Sequence, residues 1–107
     1  MSSKTGNIFE LPEQLPSEEL FEALLEHEKI LIEKVVSSGQ VTPPGDWYDQ
    51  DQDEWLIVLQ GEGELSYEDG SRIKLNKGDY QFISAHQKHR VAYTSTEPPC
   101  IWLTFFF

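Results

Sequence analysis

The chain has 107 residues, the usual size of one domain, and its 38% hydrophobic and 12% aromatic side chains suffice for one core and argue against disorder. Nineteen acidic against eight basic residues give a formal net charge of −11, a field that repels phosphate backbones and anionic surfaces, so nucleic acid and membrane are disfavoured as partners. No apolar run approaches the roughly 18 residues that span a bilayer, the first residues lack the apolar stretch of a signal peptide, and the single cysteine, Cys100, has no partner for an internal disulfide, so a cytoplasmic location is expected.

In chain order, residues 1–16 contain Pro12 and Pro16 and few apolar side chains, which predicts a tail laid over a single domain formed by residues 17–107. Ser17 precedes Glu18-Glu19-Leu20, the pattern of an N-cap hydroxyl with acidic residues in a first helical turn. Leu20, Phe21, Leu24 and Leu25 share one face at helical spacing, so a short N-terminal helix is expected. Leu31, Ile32, Val35 and Val36 continue that face, and a longer helix is an alternative. Four of the seven residues 30–36 are β-branched and Ser37-Ser38-Gly39 closes the run as a turn, which favours a break near residues 27–29 and then a strand.

From residue 54 the strand pattern is plainer. Residues 54–60 form an apolar run too short for a typical helix and ended by Gly61. Residues 64–68 and 71–75 flank Asp69-Gly70, the signal of a tight hairpin. Asn76-Lys77-Gly78-Asp79 is a further turn, residues 80–83 and 89–94 read as strands, and Pro98-Pro99 precedes a last strand over residues 101–107. Short strands separated by turns predict a sandwich or closed barrel. The last strand carries large apolar side chains on both faces, so both must be covered, by a second subunit in a homodimer or by the N-terminal helix.

Residues 45–93 carry a family resemblance. Glu54 and Gly61 enclose six residues, and Gly78-Asp79-Tyr80-Gln81-Phe82-Ile83-Ser84-Ala85-His86-Gln87-Lys88-His89 has the glycine-to-histidine spacing of a second motif. The pair resembles the two motifs of the cupin superfamily, G-x5-H-x-H-x3,4-E-x6-G and G-x5-P-x-G-x2-H-x3-N. The resemblance implies a mainly β fold, a cupin-type double-stranded β-helix or jelly-roll barrel, and a pocket at its centre. It also implies metal ligands, of which Glu54 and His89 are present. The two family histidines fall on Tyr48 and Gln50, or in the longer spacing on Trp47 and Asp49, while Ser84, His86 and Tyr93 replace the proline, glycine and asparagine of the second motif.

Alternation along an extended strand puts Tyr48, Gln50, Gln52 and Glu54 on one side and Asp49, Asp51 and Asp53 on the other. If Glu54 points inward, then Glu54, His89 and Gln50 form a mixed N/O donor set that suits Mn, Fe, Ni or Zn, with Tyr48, Tyr93 and His86 as pocket residues. The alternatives are a hydrogen-bonded polar cluster inside the barrel, or a pocket for a small organic molecule. His86 sits in the turn before a strand, where a solvent-facing position competes with a place at the pocket. The acidic run between Asp46 and Glu54 lacks the central glycine of a calcium loop and reads as a solvated rim. Cys100 reads as a small buried residue. Three functions follow: binding of a small molecule or divalent metal in the pocket, a metal-dependent enzyme of oxygenase or isomerase type, or a non-enzymatic dimeric or ligand-sensing subunit.

Overall fold

The computed structural model describes residues 5–107; the start of the expected tail, residues 1–4, lies outside the described residues. Eight strands follow one another with no helix among the described residues: β1 (Leu20–His27), β2 (Ile30–Ser37), β3 (Glu54–Gln60), β4 (Glu62–Tyr67), β5 (Arg72–Asn76), β6 (Tyr80–Ile83), β7 (His89–Thr94) and β8 (Cys100–Phe106). They form a five-stranded sheet in the order β1-β2-β8-β3-β6 and a three-stranded sheet in the order β5-β4-β7. Every pairing is antiparallel. This is the jelly-roll type of barrel, and β2 to β8 lie within two residues of the expected strands.

The short N-terminal helix is not formed, and residues 20–27 are a strand instead. They pair with β2 from Leu20↔Val36 to His27↔Ile30, across a tight turn at Glu28-Lys29. Helical spacing is a weak preference that long-range pairing overrides when a strand edge is available. A bulge between Ala23 and Leu25 inserts one residue into the alternation, so Leu20, Phe21, Leu24 and Leu25 acquire a spacing that imitates a helix face.

Register decides which side chains face the interior. Phe21, Val35, Trp102 and Val58 form one cross-strand row on the inner face of the larger sheet, Glu33, Thr104 and Leu56 form the next, and Phe106, Glu54 and Ile83 the third. Leu65, Tyr67 and Leu75 of the smaller sheet close on these rows as the core. Two features hold the sheets in place. Gly61, between β3 and β4, has φ of 75°, and a Cβ there would stand 2.5 Å from Ser95 Oγ and 2.8 Å from the Pro99 carbonyl. Cys100 is fully buried, and burial, helped by the Glu19 charge, pushes its thiol up to about 12, which removes it as a nucleophile.

The outer face of the larger sheet is apolar in one row across all five strands: Leu25, Ile32, Phe105, Trp55 and Phe82 are consecutive cross-strand partners. Phe82 is 50% exposed and Leu25 47%. A shallow depression lined by Ile30, Trp55, Phe105 and Phe107 lies on this face. The expected helical cover of β8 is absent, and what crosses β2 on this side is the N-terminal segment, tied by Lys34 Nζ, which donates to the Glu10 carbonyl at 2.8 Å.

Candidate functional site

Between the two sheets lies a cavity of about 210 Å³. Phe21 and Tyr48 line it while remaining 56% and 37% exposed, so they form its rim. Val35, Leu56, Leu65, Val91 and Trp102 supply the apolar wall. The polar groups are Glu19, Glu33, Gln50, Glu54, His89 and Thr104.

The register of β8 explains the polar floor. Thr104 pairs with Glu33 on one side and Leu56 on the other, one step from Glu54, and its hydroxyl donates to Glu54 Oε2 at 2.6 Å. Glu54 and His89 are 7% and 4% exposed, and they face each other from opposite sheets with Oε1 and Nε2 3.5 Å apart. His89 Nδ1 lies 2.9 Å from the Gln87 carbonyl, which can only accept, so Nδ1 carries a proton. In the neutral ring that tautomer turns the Nε2 lone pair toward Glu54 Oε1, an acceptor with no hydrogen-bond partner among the described residues. Two acceptors face to face repel, which favours a proton on Nε2, although 3.5 Å is long for a full hydrogen bond and leaves Oε1 with bonding capacity to spare.

The His89 pKa responds accordingly. Burial alone lowers it, but the hydrogen bonds to Glu54 and the Gln87 carbonyl, with the Glu54 charge, outweigh burial and leave it above the ordinary value of 6.5. Glu33 is raised above 4.5 by burial and then by the Glu54 charge. Tyr48 is raised by burial and by Glu19, Glu54 and Glu33, against a hydrogen bond with Thr42. These residues share one negative field.

Of the expected site residues, Tyr48, Gln50, Glu54 and His89 line the cavity together. Tyr48 is placed by its backbone: its N–H donates to the His89 carbonyl at 2.7 Å, and the two rings stack at 5.5 Å. Tyr93 does not line the cavity, and is 44% exposed. Simple alternation from His89 through Val91 aims it inward, but a bulge shifts the register so that Val91 pairs with Leu65 and Tyr93 with Glu64, which reverses its face. His86 also lies outside the cavity. It takes the left-handed conformation, φ 63°, at the position the resemblance gives to glycine, and its Nδ1 is 2.8 Å from Asp49 Oδ1. Its backbone N–H donates to the Gln50 carbonyl, and the Ala85 N–H donates to Asp53 Oδ1. The acidic run therefore pins the turn before β7.

Glu19, Glu33, Trp102 and Thr104 are wall residues that the motif comparison misses. One of them leaves a trace in the sequence: Thr104 is a polar residue at an inward position of the otherwise apolar β8.

The resemblance implies a metal, and the donor set does not fit one. Among the described residues no three His, Cys, Asp or Glu side chains converge on a point. Only Glu54 and His89 face each other, Glu54 Oε2 is already engaged by Thr104, and the remaining donor, Gln50, is a neutral amide. Protein metal centres of the expected type use three or four ligands.

Comparison with known proteins agrees with the architecture. The family described as Cupin domain matches residues 35–106. No curated protein matches the chain. A solved structure from Ralstonia eutropha JMP134, provisionally assigned as a mannose-6-phosphate isomerase, is 37% identical over 97% of both chains, with a TM-score of 0.91. A cupin superfamily protein from Desulfitobacterium hafniense DCB-2 is 18% identical over 90% of this chain and 83% of its own, with a TM-score of 0.73. An RmlC-like cupin from Desulfovibrio desulfuricans is 19% identical over 98% and 97%, with a TM-score of 0.74. The last two share the fold.

Proposed function

The chain belongs to the cupin family, and on that footing we propose that its barrel binds a small organic molecule without a metal, with the Glu54–His89 pair as the polar floor of the site. One observation carries this reading: among the described residues Glu54 Oε1, buried beside the cavity, has no partner within ordinary hydrogen-bond range, His89 Nε2 standing 3.5 Å away. A buried acceptor left unsatisfied costs about 1–3 kcal/mol, and a donor on a bound molecule offsets that cost. The volume suits a ring with a short substituent, since an apolar cavity of about 150 Å³ takes benzene. Catalysis is not inherited from the family, because the two histidines of its first motif are absent. The sugar phosphate named for the Ralstonia relative is a poor fit here, because among the described residues no Lys or Arg lines the cavity and three Glu do.

A thermal-shift screen of the purified chain against small amines, alcohols, sugars and acids tests the proposal. One class should raise Tm, by the equivalent of about 2.7 kcal/mol at a hundredfold excess over Kd, with no change on adding chelator and with loss of the response in Glu54→Gln. Stoichiometric uptake of Mn, Fe, Ni or Zn that disappears in Glu54→Ala and His89→Ala would refute the metal-free reading.

A second reading, self-association, rests on the outer row Leu25–Ile32–Phe105–Trp55–Phe82. A five-stranded sheet about 20 Å wide with this apolar row across it matches the same face of a second copy, packed at the roughly 10 Å spacing of stacked sheets. An acidic chain offers few other surfaces without like-charge repulsion. Sedimentation at micromolar concentration should find a dimer, and Leu25→Glu with Phe82→Glu, both at exposed positions, should find a folded monomer. A monomeric wild type ends this reading.

A further inference from the structure

From the charges around the cavity we infer that its ligand is a small organic cation, a protonated amine carrying an apolar ring-sized body. This rests on the metal-free pocket proposed above and names its ligand class. Three carboxylates, Glu19, Glu33 and Glu54, line the cavity, against one imidazole, His89. Even with His89 protonated the lining is left with an excess of negative charge. Among the described residues no Lys or Arg forms an ion pair with any of the three; the lysines and arginine in ion pairs bond Glu22, Glu62, Glu64 and Glu68.

Alternation along β2 produces this asymmetry. Glu33 and Val35 face inward, whereas Lys34 faces outward, where it reaches the Glu10 carbonyl and Glu22. The one basic side chain next to Glu33 is thus withheld from the cavity by the pleat.

The acidic lining is joined by a second feature that points to a ligand. Glu54 is more than nine-tenths buried, and among the described residues its Oε1 has no partner within ordinary hydrogen-bond range, His89 Nε2 standing 3.5 Å away. A charged donor satisfies such an atom better than a neutral one, since hydrogen bonds to ionised groups are roughly twice as strong. The remaining walls suit the rest of such a molecule. Phe21, Tyr48 and Trp102 present aromatic surface, which attracts cations through the ring quadrupole and covers apolar groups equally well. Burial and the Glu54 charge raise the pKa of Glu33, the response of a carboxylate that lacks a cation nearby.

The test uses three probes of nearly equal shape: benzylammonium, benzyl alcohol and benzoate, titrated calorimetrically into the full chain at neutral pH. Benzylammonium should bind at least about tenfold more tightly than benzyl alcohol, a difference of about 1.4 kcal/mol, and benzoate should not bind. Glu33→Gln should weaken benzylammonium about tenfold more than it weakens benzyl alcohol. Glu28→Gln, which removes the same charge from an exposed turn, should leave the preference between the two intact. Equal or tighter binding of the alcohol, measurable binding of benzoate, or an unchanged preference in Glu33→Gln overturns the cation assignment. If the alcohol binds without any preference for the amine, the organic pocket stands and only its charge class fails. If none of the probes binds and the wider screen finds no ligand, both fail.

Discussion

His89→Ala is expected to cost about 3–5 kcal/mol of folding stability, the usual loss when one partner of a buried charged pair is removed and the other stays behind. Glu54 is held by position, not by choice: its strand neighbours Trp55 and Leu56 fix the register of β3, and Thr104 fixes Oε2. Without the imidazole, Oε1 loses the one group among the described residues close enough to offset its charge. Glu54→Ala should cost less, because the imidazole left behind can lose its charge. The double variant should lose less than the sum of the single variants, by at least about 1 kcal/mol. Urea denaturation of the four proteins measures all of this. Additivity to within about 0.5 kcal/mol would mean that the two side chains, though 3.5 Å apart, do not interact.

The same pair sets the pH dependence. The folded-state pKa of His89 is raised above 6.5, so the folded chain binds the proton more tightly than the unfolded one. Its contribution is fully present below pH 6.5 and is lost as pH rises through the folded value. Glu33, raised above 4.5, acts with the same sign in a lower window. Tm should therefore decline as pH rises from mildly acid through neutral. His89→Gln should remove the part of the decline that begins near pH 6.5. A Tm that rises over that interval in the wild type contradicts the raised pKa.

What could be read in the sequence, and what could not, follows from which interactions are local. Strands β3 and β6 are readable to the residue because apolar runs and turn residues bound them closely. The inward set Tyr48, Gln50 and Glu54 is readable because period-two alternation needs only one fixed point. Gln52 has the same parity yet is exposed, because the chain bends at residues 51–52 instead of staying extended. The sequence pattern misleads at β1 and at Tyr93 for a shared reason: a bulge within β1 and another just before Tyr93 each insert one residue, which reverses the phase of the side chains after it. Bulges leave little mark in composition. Glu33 enters the site through pairing of β2 with β8, a contact between residues far apart in the chain, which no local pattern encodes.

Gly63→Ala should lower stability by about 3 kcal/mol, at the upper end for overpacking a core, and lower Tm by more than about 10 °C. A Cβ on Gly63 would lie 2.3 Å from Trp102 Cη2 and 2.4 Å from Cζ2. The glycine is not needed for its backbone, since its φ is not positive; it is needed because the indole occupies the space a side chain would take. The ring cannot swing aside cheaply. Its Nε1 donates to Ser37 Oγ at 3.2 Å, and the Ser37 hydroxyl in turn donates to Glu19 Oε2. Moving the indole therefore breaks a buried chain of hydrogen bonds that ends on a cavity carboxylate. Trp102 is also cavity wall, so ligand affinity should fall with stability. Trp102→Phe removes the atoms that a new Cβ would strike, at the cost of a smaller wall. Gly63→Ala combined with Trp102→Phe should be more stable than Gly63→Ala alone, a reversal that a general intolerance of β4 to alanine does not produce. If Gly63→Ala unfolds within about 0.5 kcal/mol of the wild type, the contact of indole on backbone is not what joins the two sheets at the cavity.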